Sequence, residues 1–356
     1  MPTHNVHISD VLAFKSCRRK WDFSSSLRRN LTPLGVYVPF FVGRVIHGAL
    51  DRMYRYGVNP VDEVASLVEE ETRHIQQDHP QIYATQIQKV NEQAVLCAAY
   101  LQHYVEWSQV FNGPFNDRDL DFINVEQQFN VPLRTDRGFI AKSLRKAGKF
   151  DGVVRYKKDD KLYLWEIKTT RSINERLKML DLEEQADSYA IDAQQMLGEP
   201  IAGIIYMLIR KAIPETPEIL KNGCLSQNKR IDTTFEHYLA CIRAHHKHEA
   251  TRDFISAKYG DFLQHLLDNA NPFFMRICIR RTQEQLIAAR NELYAVAREM
   301  TNPRIPIYHH GQPSCNWCVF REPCVAIQQG KHDEAERLLR ENYTQNTYHL
   351  TGVDEL

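Results

Sequence analysis

The sequence predicts a mixed α/β fold, and three observations carry this prediction. First, stretches rich in β-branched and aromatic residues predict strands at Phe122–Val131 and Gly138–Leu144, then a hairpin whose two strands, ending in Tyr156 and Leu164, flank the polar turn at residues 157–160. Second, Met179–Leu197 shows the 3.6-residue periodicity of an amphipathic helix. Third, Ile201–Ile209 is apolar throughout, which is typical of a buried central strand. Strands followed by a helix and a further strand indicate a mixed sheet with a crossover helix.

Length and composition are those of an ordinary globular protein. The 356 residues suffice for one large domain or two modest ones, and 25% of them are charged and 43% hydrophobic. The sequence has no apolar run of about 18 residues, and it does not begin with the pattern of a signal peptide. We therefore expect a soluble intracellular protein without a membrane span.

Helical periodicity dominates the first third of the chain. It predicts a helix of about four turns from Ser9, then Phe40–Tyr56, 61–77 and 88–110. Cys17 lies inside the first predicted helix, and His47 lies on the apolar face of the second. The segment Asn112-Gly113-Pro114 ends this block. Residues 40–112 are thus a predicted helical region that carries His47.

The predicted strands and crossover helix occupy residues 122–210, the expected α/β core. After a polar loop, the patterns predict helices at 234–259, 261–267 and 283–300, an edge strand at Met275–Arg281, and a helix from Lys331 with an acidic end. Residues 221–300 form a predicted helical insertion within one domain of 1–356. Clustered histidines at 245, 246 and 248 suggest a metal site, but they lack a third ligand, so a solvated helix surface is favoured.

Three polar side chains meet at the end of the predicted hairpin. Asp151 follows Gly148-Lys149-Phe150 on its first strand, and Glu166 and Lys168 lie two apart on its second strand and therefore share a face. Two carboxylates suit Mg²⁺, and phosphodiester cleavage needs such a cation. The lysine could stabilise the developing negative charge. The alternative is a surface Glu–Lys pair, which is common on strands.

Charge is unevenly distributed although the formal net charge is zero. Between Lys142 and Lys178 there are twelve Lys or Arg residues against five Asp or Glu residues, a local excess of seven positive charges. A basic surface around two carboxylates suits a polyanion brought to a metal site. A solvated basic hairpin is the alternative interpretation.

Further candidates flank the hairpin. Gln185 and Tyr189 lie four residues apart on the crossover helix and share a face. The spacing favours a core role for Tyr189 and leaves Gln185 open between core and ligand binding. A lone histidine on an apolar helix face, as at His47, is more often a core residue. Two nearby carboxylates would make its imidazole a suitable partner for Mn²⁺ or Mg²⁺.

A cysteine cluster is the second chemical signal. Of eight cysteines, three fall within ten residues as Cys315-x2-Cys318-x5-Cys324, in a region we place at 303–330. Three thiolates need a fourth ligand, and Cys17 is the best candidate. Four cysteines suit either a [4Fe–4S] cluster or structural zinc. A link between Cys17 and Cys315 would close a loop of about 298 residues and remove on the order of 5 kcal/mol of denatured-chain entropy.

Together these motifs resemble the RecB-type PD-(D/E)XK nucleases that carry an iron–sulfur cluster, a group that includes the AddB nuclease domain, the CRISPR-adaptation exonucleases and stand-alone phage nucleases. The resemblance implies a restriction-endonuclease-like core with helical additions. It implies that His47, Asp151, Glu166 and the backbone carbonyl of Ile167 hold Mg²⁺ or Mn²⁺, and that Lys168 is the catalytic lysine. Gln185 and Tyr189 would be the RecB-type motif. Cys17, Cys315, Cys318 and Cys324 would hold the [4Fe–4S] cluster. Phe150 stands where the family name has proline.

The resemblance further implies metal-dependent cleavage of DNA, by an exonuclease acting on ends or single strands in replication, recombination or repair. It also implies a location in the cytoplasm of a bacterial cell or a phage-infected host. An alternative is a DNA-end-binding subunit that grips ends for a partner helicase or recombinase. The chain has no G-x-x-x-x-G-K-[ST] loop and so no recognisable P-loop motor of its own. Structural zinc remains the alternative to the iron–sulfur cluster.

Overall fold

The structure, a computed structural model, describes residues 3–269 and 272–346, without the side chains of Pro39 and Asn269. Its strands are β1 His4–Val6, β2 Leu31–Pro33, β3 Leu120–Arg134, β4 Ile140–Tyr156, β5 Lys161–Thr170, β6 Ile201–Arg210, β7 Phe274–Arg280 and β8 Tyr343–Gln345. Its helices are α1 Ile8–Ser16, α2 Arg18–Ser24, α3 Val38–Tyr56, α4 Val64–Asp78, α5 Pro80–Val110, α6 Ile173–Leu177, α7 Glu184–Leu197, α8 Phe235–His246, α9 Arg252–Asn269, α10 Gln283–Met300, α11 Arg321–Gln328 and α12 His332–Asn342. The predicted acidic C-terminal end lies outside the described residues.

The central feature is a six-stranded mixed sheet. Its strands follow the order β1-β4-β5-β6-β7, and β3 pairs with β4. The pairs β3–β4, β4–β5 and β6–β7 are antiparallel, whereas β5–β6 and β1–β4 are parallel. Parallel neighbours need a crossover connection, and α7 lies within it between β5 and β6. The predicted α/β fold with a crossover helix and an edge strand near residue 275 is therefore confirmed.

Helices cover both faces of the sheet. On one face α1, α7 and α10 contribute to a core that includes Phe150, Leu164 and Tyr189. On the other face α3 and α5 pack over Trp165 and Ile167. The strand β6 is buried along most of its length, which explains its continuous apolar sequence. No helix in the described part of the chain is long and apolar enough to cross a membrane.

The two ends of the described chain meet beside this core. The short strands β2 and β8 pair antiparallel, with Leu31 opposite Gln345. The rings of Phe23 and Phe320 pack with centroids 5.3 Å apart. Residues near the N-terminus are thereby held against the segment that contains the clustered cysteines.

The structure corrects several predicted element bounds. Cys17 does not lie inside a helix: it is extended, at φ −162° and ψ 113°, between α1 and α2. The predicted helix at 234–259 is divided into α8 and α9, because Lys247 adopts φ 48°, which right-handed helix excludes. The crossover helix begins at Glu184 rather than Met179, after a 3₁₀ turn at Leu180–Leu182.

The predicted strand at 138–144 and the first hairpin strand are one continuous strand, β4. Gly148 does not interrupt it, because the missing side chain leaves room for the ring of Phe129 on β3. A Cβ added at Gly148 would come within 2.8 Å of that ring. The ring of Phe129 stacks on that of Phe150 at 5.6 Å. The glycine therefore serves packing between β3 and β4 rather than a turn.

Asp10 in the first turn of α1 provides a test of the core at the N-terminal end. Its side chain is buried, and burial raises the pKa of the carboxyl to about 6, against the opposing hydrogen bonds from Ser25 and Ser26. The folded chain thus favours the protonated acid, and wild-type stability falls as the pH rises from about 4 to about 6. An Asp10→Asn variant lacks this loss. We expect the difference in unfolding free energy between the variant and wild type to shift by about 3 kcal/mol in favour of the variant as the pH rises through that interval.

Urea unfolding of both proteins at a series of pH values measures this difference. A difference that stays constant from acid to neutral pH would show that the Asp10 carboxyl is not held protonated by the fold.

Candidate active site

The site forms where β4 and β5 separate. The two strands pair from Tyr156–Lys161 to Gly152–Trp165, and beyond that point β5 keeps only its pairing with β6, which begins at Leu162. Asp151 is the first β4 residue past the last pair. Its Oδ2 accepts a hydrogen bond of 2.7 Å from the backbone N–H of Ile167. The carboxylate thus occupies the opening between the strands.

His47 reaches the same opening from α3. Its Nδ1 lies 3.1 Å from Oδ1 of Asp151. Burial opposes the charge on Asp151, but His47, Lys168 and the Ile167 N–H outweigh it and lower the pKa of the carboxyl. Burial likewise opposes protonation of His47, and Asp151 and Glu126 outweigh it and raise the pKa of the imidazole. Each side chain therefore favours the charged form of the other.

Glu126 on β3 is a site residue that the sequence analysis missed. Its neighbours Val125 and Gln127 pair with Gly152 and Phe150, so Glu126 lies opposite Asp151. It adopts φ 48°, a conformation that costs a non-glycine residue roughly 1–2 kcal/mol. Burial raises the pKa of its carboxyl, and its ion pair with Lys149 opposes that rise. Backbone strain of this kind is concentrated at functional sites.

His47, Glu126 and Asp151 together can hold a metal ion. Each offers one ligand atom, and these atoms lie within 4.8 Å of one another. No other set of three His, Cys, Asp or Glu residues in the described ranges meets this criterion. Two carboxylates and one imidazole are oxygen and nitrogen donors of the type that Mn²⁺ and Mg²⁺ accept.

Glu166 and Lys168 share one face of β5, as their spacing predicted. The Nζ of Lys168 donates a hydrogen bond of 2.6 Å to Oε1 of Glu166. The other oxygen, Oε2, is buried and has no hydrogen-bond partner among the described residues. Burial raises the pKa of Glu166 to about 7, with Lys168 opposing the rise and Asp151 adding to it. An unsatisfied buried carboxylate oxygen is costly unless a proton or a cation fills the place.

Gln185 and Tyr189 extend this chain of contacts from α7. The Nζ of Lys168 donates to Oε1 of Gln185 at 2.9 Å, and Nε2 of Gln185 donates to the hydroxyl of Tyr189 at 3.3 Å. Tyr189 is also buried against Phe129. Burial raises the pKa of its hydroxyl, which therefore stays neutral at physiological pH. Tyr189 packs in the core, as its spacing favoured, and also orients the amide of Gln185.

A buried ion pair fixes α7 against β4. Lys146, fully buried on the same strand as Asp151, bonds Ser188 and Asp192 of α7. Its ammonium lies 5.1 Å from the ring centroid of Tyr189. Burial raises the pKa of Asp192 to about 6, and Lys146 opposes that rise. Such a pair adds little net stability but specifies one arrangement. Here it holds the helix that presents Gln185 to Lys168.

The candidate cysteines lie where the two chain ends meet. The backbone N–H of Arg19 donates to the carbonyl of Tyr308 at 2.9 Å, and Gln312 Nε2 donates to the carbonyl of Ser16 at 3.3 Å. These contacts hold Cys17 beside the segment that carries the other three cysteines. All four thiols are free and partly buried. The structure thus brings the N-terminal cysteine to the C-terminal group.

The thiol of Cys324 lies close enough to two of the others for them to affect its pKa. Burial raises the pKa of Cys324, Arg19 opposes the rise, and the nearby thiols of Cys17 and Cys318 add to it. The Nη1 of Arg19 lies 3.8 Å from the sulfur of Cys324. The fourth thiol, Cys315, donates to the carbonyl of His310 at 3.2 Å. The donor set therefore fits a thiolate-bound group, with Cys315 turned to a backbone oxygen.

The clustered histidines of α8 have structural partners. Nε2 of His245 lies 2.9 Å from the carbonyl of Gly223, and Nε2 of His246 lies 2.7 Å from the hydroxyl of Tyr259. Each contact ties α8 to a neighbouring segment of the chain. They belong to no set of ligand atoms close enough for a metal among the described residues.

The sequence profile of the PD-(D/E)XK nuclease superfamily matches residues 8–325. The matched range begins at the start of α1 and ends just past Cys324, so it includes every candidate site residue described above. Among curated proteins, none matches the sequence significantly.

Proposed function

Since the chain belongs to the PD-(D/E)XK nuclease superfamily, we propose that it is a Mg²⁺- or Mn²⁺-dependent deoxyribonuclease that acts on DNA ends or single strands. The observation that carries the proposal is the convergence of His47, Glu126 and Asp151, with ligand atoms within 4.8 Å of one another. The Glu166–Lys168 pair extends from the same opening between β4 and β5. Exonucleolytic action and a role in replication, recombination or repair, with a helicase or recombination protein as partner, follow from the resemblance to RecB-type nucleases.

We propose that His47, Asp151, Glu166 and the backbone carbonyl of Ile167 hold the cation, and we add Glu126 as a further ligand. Carboxylate oxygens are the ligands that Mg²⁺ and Mn²⁺ prefer, and imidazole suits transition metals such as Mn²⁺. The buried, unpartnered Oε2 of Glu166 is an atom that a cation would satisfy. A bound cation would supply Lewis-acid stabilisation of the negative charge on the scissile phosphate.

Lys168 is the proposed catalytic lysine. Burial opposes its charge, but Glu166 and Glu183 outweigh burial and raise the pKa of its ammonium, so it stays protonated. An ammonium beside the reacting phosphate stabilises the charge that develops in the transition state. Gln185 holds the ammonium in place through its amide oxygen, and Tyr189 holds the amide. We assign Gln185 and Tyr189 to positioning of the lysine.

We propose that Cys17, Cys315, Cys318 and Cys324 hold a [4Fe–4S] cluster, with structural zinc as the alternative. Tetrahedral zinc, bound at about 2.3 Å, would bring its sulfur ligands to roughly 3.8 Å from one another. No three of these four thiols, all within the described ranges, lie within 4.8 Å of one another. A cubane cluster binds each sulfur to a different iron and spaces the sulfurs more widely. The resemblance of the four-cysteine pattern to the RecB-type nucleases that carry an iron–sulfur cluster supports the cluster over zinc.

Digestion of end-labelled DNA tests the proposed function. Protein purified with its cysteine-bound group intact should cut single-stranded or end-containing duplex DNA in Mg²⁺ or Mn²⁺, and chelation of the divalent cation should stop cleavage. Comparing DNA labelled at the 5′ end with DNA labelled at the 3′ end gives the direction of degradation. A circular substrate distinguishes exonuclease from endonuclease action. DNA left uncut in both cations would refute the proposal.

The added ligand Glu126 makes a separate prediction. A Glu126→Gln substitution keeps the size of the side chain and removes its charge, so the metal concentration needed for half-maximal cleavage should rise about 10- to 100-fold. Titration of activity with Mn²⁺ measures this shift. Glu70→Gln on α4 serves as the control, since Glu70 is part-exposed and pairs with Arg52. An unchanged Mn²⁺ dependence in the Glu126 variant would remove Glu126 from the ligand set.

A further inference from the structure

The turn between β3 and β4 presents an aromatic side chain to solvent. Phe139 is 70% exposed and the adjacent Ile140 is 57% exposed. The turn itself is well bonded: the N–H of Thr135 donates to the carbonyl of Phe139, and that of Gly138 donates to the carbonyl of Thr135, both at 2.8 Å. Gly138 adopts φ 83°, which favours glycine at this position. Phe139 is therefore exposed by a specific turn.

Basic and amide side chains surround this turn. Arg134 donates to the carbonyl of Gly138 at 3.1 Å, and Arg290 of α10 reaches the carbonyl of Asp136 at 3.5 Å. Beneath the turn lies a groove of about 380 Å³, and the polar side chains that line it are Arg134, Gln194, Gln195, Gln283 and Arg290. From residue 134 to residue 145 there are four Arg or Lys residues against one Asp. The surface is thus positively charged and rich in hydrogen-bond donors.

We propose that this turn and groove, which we call the hairpin site, form a second contact for single-stranded DNA. Phe139 stacks on a base, and the guanidinium and amide groups of the groove hold the adjacent sugar–phosphate backbone. Aromatic side chains beside a basic groove are the combination by which proteins bind single strands without sequence preference. Arginine and glutamine are also common donors to phosphate oxygens. The proposal rests on the proposed function, because it names how the substrate of the nuclease is held.

The hairpin site and the active site lie on one strand. Ile140 opens β4, and Asp151 lies eleven residues along it. At about 3.4 Å per residue, the two positions are up to roughly 37 Å apart. A single DNA strand with the rise that it has in duplex DNA, about 3.4 Å per nucleotide, would need about 11 nucleotides to span that distance. Short oligonucleotides that occupy the active site therefore do not reach Phe139, whereas long ones do.

Charge favours DNA over a protein partner at this surface. An exposed phenylalanine alone would suit an apolar pocket on another protein. Here the exposed ring is accompanied by Arg134, Arg137 and Lys142, with Asp136 as the one acid of the turn. A polyanion gains from every one of these cations, whereas an apolar protein pocket would have to leave them solvated.

Fluorescence anisotropy with an oligo(dT) series of increasing length tests the proposal. Ca²⁺ replaces Mg²⁺ and Mn²⁺ so that the DNA is not cut. We expect wild-type affinity to rise with length, and Phe139→Ala to lose on the order of tenfold in affinity on long oligonucleotides only. Phe139→Leu should behave like the alanine variant, because leucine lacks the stacking ring although it keeps an apolar side chain. Phe139→Trp should bind as well as wild type.

Controls separate this proposal from folding and from the nuclease proposal. Val95→Ala alters an equally exposed apolar residue on α5 and should bind like wild type at every length. Because Phe139 is exposed, its variants should keep the wild-type melting temperature. The proposal that the hairpin site binds DNA would be refuted if Phe139→Ala and wild type had equal affinity at all oligonucleotide lengths. It would also be refuted if wild type did not bind single strands. Phe139-dependent binding by a protein that never cuts DNA would instead refute the nuclease proposal alone.

Discussion

Replacement of Asp151 with asparagine should lower the rate of DNA cleavage by on the order of 10³-fold or more. The Asp151 carboxylate lies against His47 and accepts the N–H of Ile167, so it is the residue that connects β4, β5 and α3 at the site. Asparagine keeps the shape but removes the charge that would bind the cation. Single-turnover cleavage of labelled DNA in saturating Mn²⁺ measures the chemical step directly.

Two further variants accompany Asp151→Asn, one at a second proposed catalytic residue and one as a control. Lys168→Gln should also lose cleavage, by about 10²- to 10³-fold, because it removes the positive charge that stabilises the developing negative charge while the proposed ligands stay in place. Asp121→Asn on β3 is the matched control, since Asp121 is an exposed carboxylate paired with Lys157. Near-wild-type cleavage by Asp151→Asn would remove this residue from the metal site and, with it, the proposed catalytic centre.

Replacement of Cys324 with serine should abolish the broad visible absorption of a [4Fe–4S] protein and destabilise the fold by several kcal/mol. Metal binding to a site that exists only in the folded chain adds its free energy to folding, so loss of one ligand lowers stability. The closed loop of about 298 residues between Cys17 and Cys315 would contribute on the order of 5 kcal/mol of that stabilisation. Absorption spectra, iron and zinc analysis, and urea unfolding measure these effects.

A second cysteine provides the control for this experiment. Cys224→Ser alters a partly exposed thiol before α8, where the sulfur donates to the carbonyl of Asn222 at 3.8 Å and interacts with the ammonium of Lys258. This variant should keep both the visible absorption and the unfolding free energy of the wild-type protein. Colourless wild-type protein that contains zinc would contradict the iron–sulfur assignment. Unchanged metal content in Cys324→Ser would contradict the ligand role of Cys324.

The fold was predictable because its signals are local. The polar turn within the hairpin, the periodicity of the crossover helix and the apolar run of β6 each lie in one short segment. Glu166 and Lys168 could be placed on one face because a strand has a period of two. Their hydrogen bond, and that of Lys168 to Gln185, agree with this placement.

Features that depend on long-range pairing could not be predicted in this way. Glu126 joins the site through the register of β3 on β4 and through its positive φ, and neither can be read from a single segment. The strand β1 has three residues and exists only by pairing with residues 144–146. The helix break at Cys17 follows from docking against residues 308–312. In each case a tertiary contact overrides the local pattern.

Anomalous diffraction from crystals soaked in Mn²⁺ tests the central claim most directly. The claim is that the opening between β4 and β5 is a divalent-metal site. We predict an anomalous peak bound by the side chains of His47, Glu126, Asp151 and Glu166. Mn²⁺ bound elsewhere, in a protein that cleaves DNA with Mn²⁺, would contradict this account of the active site.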